Sequence, residues 1–417
     1  MMNKHKLQKN RVSGGWKFLA VIVPMVGSLA MTGDLYAGQA SEGVTAPNAA
    51  VQAESAIKKE SLENYLARMQ WFAKAEYGMF IHFGLYSQLG GVWKGEQAKG
   101  YSEWIQGRAN IPRDEYVQLI KTFNPVGFDA EGIVRTAKQA GMEYLVITTK
   151  HHEGFCLWDS KYTDFDVANT PFKGRDIIDE LNKACKKHGL KFGVYYSIID
   201  WNHSSQKRPF ELGKKGNPGQ TVIVDDRKQE YVDYQKNQVL ELIENYDPAV
   251  IWFDGDWVNW WTMPDGIELY NAIREASPNI IVNNRVAKRG QFELDYVTQE
   301  QGHFKEAFPK YWEACYTMNK SWGYKKNDHQ WKSAQTVYNK LKNINEKGGS
   351  FLLNVGPDGN GVVQPEAIAI LEQTAKLLEA APISKKIPQI TKVPGTKAKQ
   401  PRKRRAKQPR KPRANYE

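Results

Sequence analysis

From Glu63 onward, short apolar runs alternate with longer amphipathic stretches. The runs are "GMFIHFG" (78–84), "EYLVITT" (143–149), "KFGVYYS" (191–197), "AVIWFDG" (249–255), "NIIVNN" (279–284) and "SFLLNVG" (350–356). Rich in β-branched and aromatic residues and bounded by polar residues or glycine, they predict strands. "AEGIVRTAKQAG" (130–141), "GRDIIDELNKACKKHG" (174–189), "RKQEYVDYQKNQVLELIENY" (227–246) and "SAQTVYNKLKNINEKGG" (333–349) have helical spacing. Strands alternating with helices predict a parallel sheet, and strands apolar at nearly every position predict cover on both faces. Six or more such units in about 320 residues predict a β/α barrel rather than an open doubly wound sheet. No G-x-G-x-x-G follows the first strand, which counts against a dinucleotide fold.

The same pattern sets polar residues at the C-terminal ends of the runs: His82, His151 and His152, Tyr195 and Tyr196, Asp254, Asn284 and Arg285. In a β/α barrel that rim is where active sites are built. Asp254 follows "VIWF" and precedes a glycine, the placement of a nucleophile or base, with Asp256 its local competitor. The ordinary alternative is a helix-capping or loop aspartate. A carboxylate nucleophile works with a second carboxylate as acid/base, and Glu300 ("LDYVTQEQ") and Glu313 ("YWEACYTMNKSWGY") are the candidates. Beside Trp312, Glu313 is expected to be buried, which would raise its pKa.

Adjacent His151 and His152 point to opposite faces while a strand continues. H-x-x-x-H and C-x-x-C spacings are absent, so metal binding is disfavoured. Where the strand breaks, both rings can turn into one pocket and hold neighbouring hydroxyls of a sugar. Thirteen Trp and 20 Tyr suit stacking on sugar faces, and equally suit a large aromatic core.

The ends of the chain differ from its middle. Basic residues up to Lys17 precede a 14-residue apolar run (18–31) and "LYA" (35–37), the pattern of a secretory signal peptide over residues 1–37. A membrane anchor fits less well, because a span needs about 20 residues. Export, periplasmic or extracellular, is therefore expected. Residues 38–60 read as a linker and 61–384 as the barrel. Residues 385–417 hold 13 Lys/Arg and one acid, which accounts for the whole net charge of +12. This Pro-rich segment is expected to be disordered and able to bind an anionic polysaccharide or other polyanion. Cys156, Cys185 and Cys315 are expected to be buried free thiols.

"YGMFIHFGLYS", "YLVITTKHHEGFCLWDSKYTDFD", "GRDIIDELNKACKKHGLKFGVYYSIIDW", "IWFDGDW", "VNNR" and "GGSFLLNVGPDGNG" resemble the α-L-fucosidases of glycoside hydrolase family 29 across residues 64–380. The resemblance implies an irregular (β/α) barrel of TIM type and retaining, cofactor-free exo-hydrolysis of fucosylated glycans. It implies that Asp254 is the nucleophile. Its sugar-binding set would be His82, Glu103, Trp104, His151, His152, Tyr195, Trp252 and Arg285. Both Glu300 and Glu313 match positions to which the acid/base role has been given, and Glu300 is the preferred one. Many members carry a C-terminal β-sandwich; the basic segment in its place leads us to expect none. A related sugar such as an α-L-galactoside is the alternative substrate, and glycan or polyanion binding without catalysis the alternative function.

Overall fold

The computed structural model describes residues 57–58, 60–291 and 294–395. The expected signal peptide, most of the expected linker and residues 396–417 lie outside them. Eight parallel strands form one sheet: β1 (Tyr77–Ile81), β2 (Tyr144–Lys150), β3 (Lys191–Ser197), β4 (Val250–Asp254), β5 (Ile281–Val282), β6 (Val297–Glu300), β7 (Trp312–Thr317) and β8 (Gly349–Val355). Their order is β6-β7-β8-β1-β2-β3-β4-β5. The two end strands meet at a single bridge, Asn283–Tyr296, where the Asn284 N–H donates to the Tyr296 carbonyl at 3.0 Å. The expected irregular TIM-like barrel is therefore present, with a narrow seam between β5 and β6. No β-sandwich follows the barrel among the described residues.

The apolar runs foretold six of these strands. They missed β6 and β7, whose segments "VTQE" and "WEACYT" interrupt apolar residues with Thr298 and Glu313. Around the sheet run α1 (Leu62–Lys74), α2 (Ala130–Gln139), α3 (Ile177–His188), α4 (Lys228–Tyr246), α5 (Met263–Ala276), α6 (Ala334–Glu346) and α7 (Pro365–Ala380). Side-chain caps start several of them. Asp129 accepts from the Gly132 N–H, Asp176 from those of Ile178 and Asp179, and Ser333 from that of Thr336. Within α5, Gly266 lets the helix lie against the loop after β5, because a Cβ there would come within 2.5 Å of Ala287.

Two apolar layers result. One lies between strands and helices. The other fills the barrel and runs from Tyr65, Met69 and Phe72 of α1, through Tyr144 and Tyr296, up to Tyr195 and Trp252. Helix α1 thus stops the N-terminal end of the barrel. It also bolts the seam. The Arg68 guanidinium donates to Asp295 Oδ1 at 2.6 Å, and Asp295 Oδ2 accepts the Val282 N–H of β5 at 2.8 Å. The Tyr65 hydroxyl donates to the Asp295 carbonyl. Where the β5–β6 ladder fails, a side-chain carboxylate supplies the missing acceptor.

One expected boundary shifts. The chain does not leave the barrel at residue 384. Lys385 Nζ donates to the carbonyls of Phe72 and Ala75 and to Ser350 Oγ, and the Lys386 N–H donates to the Asn345 carbonyl. Ile390 and Val393 pack on the inner cluster. Counted by charge these lysines belong to the tail, yet an amine given enough carbonyls is held by the fold.

Candidate active site

At the C-terminal end of the barrel lies a cavity of about 190 Å³, lined by His82, Glu103, Trp104, His151, Tyr195, Trp252, Asp254, Arg285 and Glu300, among others. Strand geometry explains how these converge. Asp254 ends β4, and the chain turns at once at Gly255 (φ +96°), where a Cβ would press on the Ile199 backbone at 3.0 Å. Tyr195 faces inward from β3, while its neighbour Tyr196 faces outward and bonds Gln238 of α4 and Lys150. The expectation of both tyrosines on the rim thus holds for Tyr195 only, as strand alternation requires. A register shift between Thr148 and Lys150 re-aims β2 just before the two histidines.

Asp254 is held from several sides. Its Oδ1 accepts from Arg285 Nη1 at 2.6 Å and from Arg289 Nη2 at 3.3 Å. Its Oδ2 accepts from the Tyr195 hydroxyl at 3.2 Å and lies 3.8 Å from His152 Nε2. Burial alone would raise its pKa. The two guanidinium groups and His152 outweigh burial and hold the carboxyl below its usual range, so it is ionised. The competitor Asp256 is turned away and bonded by the Arg289 backbone and guanidinium.

Glu300 ends β6, is partly open to solvent and accepts from Arg285 Nη2 at 3.1 Å. One guanidinium therefore touches both Asp254 and Glu300. Glu313 does not line the cavity. It lies inside the barrel, 1% exposed, accepting from Trp252 Nε1 at 2.8 Å and from the Tyr144 hydroxyl at 2.7 Å. Its expected burial is correct, and burial pushes its pKa up to about 7.

The remaining predicted residues form the wall except His152, which does not line the cavity and stands beside Asp254. Glu103 is buried and anchored through Oε2 by the Gly323 N–H at 2.9 Å, and its Oε1 has no protein partner. Burial lifts its pKa to about 7. His82 pairs Nδ1 with Asn354 at 2.6 Å, and His152 pairs Nδ1 with Ser197 at 2.7 Å. His152 Nε2 and His151 Nδ1 are buried without a partner. Buried polar atoms normally have partners, and these three lack one within the protein. Cys315 lines the cavity, and all three cysteines are buried and free.

Arg289, Trp257 and Trp322 also reach the site and were not foreseen from the sequence. Trp322 stacks on His82 (centroids 5.1 Å), Trp257 stacks on Trp104 (6.2 Å), and Arg289 lies over Trp257. All three come from loops, where no periodicity marks them. A tryptophan in a polar loop was the available signal.

Comparison with known proteins agrees with this geometry. The alpha-L-fucosidase family profile matches residues 44–381. Alpha-L-fucosidase of Dictyostelium discoideum is 29% identical over 321 residues, 70% of this chain and 66% of its own. Tissue alpha-L-fucosidase of Rattus norvegicus is 29% identical over 318 residues, 71% of this chain and 65% of its own. The chain thus spans about two thirds of the length of these curated relatives. An alpha-L-fucosidase of Lactobacillus casei, solved with its fucose product, is 36% identical at a TM-score of 0.68, covering 75% of this chain and 98% of that one. Isoenzyme 1 of Paenibacillus thiaminolyticus is 34% identical at 0.67, covering 76% of each. By profile, sequence and shape, the chain belongs to the alpha-L-fucosidase family.

Proposed function

We propose that the protein is an exo-acting, retaining α-L-fucosidase that releases L-fucose from glycans. The observation that carries this reading is the pair Asp254 and Glu300, both bonded to Arg285 at the wall of a cavity the size of one sugar. Retaining pairs stand about 5–5.5 Å apart, a spacing that two carboxyl groups sharing one guanidinium can meet. Solved relatives in complex with α-L-fucose and with 4-nitrophenyl α-L-fucopyranoside support the substrate class.

In this mechanism Asp254 attacks the anomeric carbon while Glu300 gives its proton to the leaving oxygen, and a fucosyl ester forms. Glu300 then takes a proton from water, the water oxygen attacks the same carbon, and Asp254 is released. Glu103 and His151 line the cavity and would bond the sugar hydroxyls, with His152 beside Asp254. Phe80, Trp252, Cys315 and Trp322 give the apolar surface a 6-methyl group needs. An α-L-galactoside, with its extra hydroxyl, would be the poorer substrate.

Two further parts belong to the same proposal. The basic start and apolar run before Ala37 support export, checked by the N-terminal sequence of protein recovered from the producing cell. The ten Lys/Arg between residues 396 and 417 support attachment to a polyanion. The central test is Asp254→Gly. Turnover of aryl α-L-fucosides should fall by orders of magnitude and return partly with azide, which replaces the missing nucleophile. Undiminished turnover in that variant would sink the assignment.

A further inference from the structure

Trp252 lies between the two side chains that grip the nucleophile. Its ring stacks on Tyr195 (centroids 5.5 Å, interplanar 18°), and the Arg285 guanidinium lies over it at 4.5 Å. Tyr195 comes from β3 and Arg285 from the turn after β5, the strands on either side of β4. Tyr195 bonds Asp254 Oδ2, and Arg285 bonds Asp254 Oδ1 and Glu300. Stacking alone leaves a ring free to slide in its plane. What fixes the indole is its edge, where Nε1–H donates to Glu313 Oε1 at 2.8 Å. Glu313 is itself held by the Tyr144 hydroxyl on Oε2.

We propose that Glu313 is a positioning residue for the reaction, anchoring the Trp252 indole and, through that ring, the Tyr195 and Arg285 groups that orient Asp254. The inference rests on the assignment of Asp254 and Glu300 given above. Glu313 is buried below the cavity floor and cannot reach a glycosidic oxygen lying in the cavity. A hydrogen bond at the edge of the indole has a preferred direction, which suits a residue that must hold one ring orientation. A buried carboxylate is otherwise costly, and both oxygens of Glu313 have a donor.

The test compares Glu313→Gln, which keeps an acceptor for the indole, with Glu313→Met, which keeps the length and removes it. Initial rates are measured on aryl α-L-fucosides with good and poor leaving groups. Glu313→Gln should keep most of the wild-type kcat. Glu313→Met should lose about ten- to a hundredfold in kcat, the cost of leaving one buried indole N–H without an acceptor, equally for both leaving groups and with KM little changed. In a Trp252→Phe background, which has no indole N–H, the difference between Gln and Met should vanish. If Glu313→Met does not fold, Trp252→Phe alone should show the same kcat loss without leaving-group dependence.

A Gln variant as damaged as Met, with poor leaving groups worst affected, would overturn the proposal in favour of an acid/base role. Wild-type kinetics in both variants would overturn it outright. A wild-type protein that leaves aryl α-L-fucosides intact would sink the proposed activity instead. The anchoring would then be read from the near-ultraviolet indole circular dichroism, which Met should change and Gln preserve. An unchanged Met spectrum overturns the anchor.

Discussion

His82 and His152 are deeply buried, and burial lowers their pKa values from 6.5 to about 3 and about 4; His151 is also pushed down by burial. Each ring is therefore neutral near pH 7, and with Nδ1 engaged by Asn354 and by Ser197, His82 and His152 each keep one ring nitrogen for a further hydrogen bond. The sign of the stability effect follows. Between their folded and unfolded values the unfolded chain binds the extra protons, so stability contributed by these rings is full above pH 6.5 and drains as pH falls toward 4. Melting temperature should decline over that window, and histidine proton resonances from the pocket should not titrate between about pH 5 and 8. A pocket histidine titrating near 6.5 would contradict the burial argument. Glu300 yields a second expectation. Glu300→Ala should slow fucosides with poor leaving groups far more than activated ones, because only the former need protonation. Equal slowing of both would remove Glu300 from the acid/base role. At this scale the sequence was most legible where a side chain ends an apolar strand, as Asp254 does after "VIWF". It was least legible where loops fold back, because the arrival of Arg289 or Trp322 at the site depends on tertiary packing that no local pattern encodes. Glu313 lies between these cases: its burial could be read from Trp312, its hydrogen-bond partners could not.

The strands that the sequence hid, β6 and β7, carry both acid/base candidates, and the reason is physical. A strand lining the polar upper barrel needs inward polar residues, which break the apolar run that identifies its neighbours. Element β6 also borders the seam, where one bridge replaces a ladder and Asp295 substitutes for the lost pairing. Removing that carboxylate strips the acceptor from the Val282 N–H and leaves Arg68 buried with Glu60 as its remaining carboxylate partner. Asp295→Ala should therefore cost about 3–5 kcal/mol, the scale for breaking a buried pair. Denaturant unfolding measures it; a loss under about 1 kcal/mol, the scale of an exposed pair, would mean the seam does not depend on this bolt. Helices α2, α3, α4 and α6 were legible because amphipathic spacing and caps such as Asp176 are local signals, whereas α1, α5 and α7 were not singled out. The role of α1 as the barrel's stopper is not local, because it depends on which end of the sheet the helix meets.

For the molecule as a whole, the final segment divides at a point that charge alone placed too early. Residues 385–393 belong to the fold through Lys385, Ile390 and Val393. A chain cut after residue 384 should melt a few degrees lower than one cut after 395, because the carbonyls of Phe72 and Ala75 lose the Lys385 donor and the inner cluster loses Ile390 and Val393. The cut after 395 should leave kcat/KM on a small aryl fucoside unchanged and abolish low-salt retention on a heparin-like column. Retention by the shortened chain would place polyanion binding on the barrel itself. The seam has one more consequence. β4, with the proposed nucleophile, is paired on both sides, to β3 and to β5, whereas β6, with Glu300, is laddered on one side only, to β7, which continues into β8. The proposed catalytic pair thus straddles the seam, so any loosening there would displace the proton donor on its one-sided strand sooner than the nucleophile, and Arg285 would carry the disturbance from one to the other.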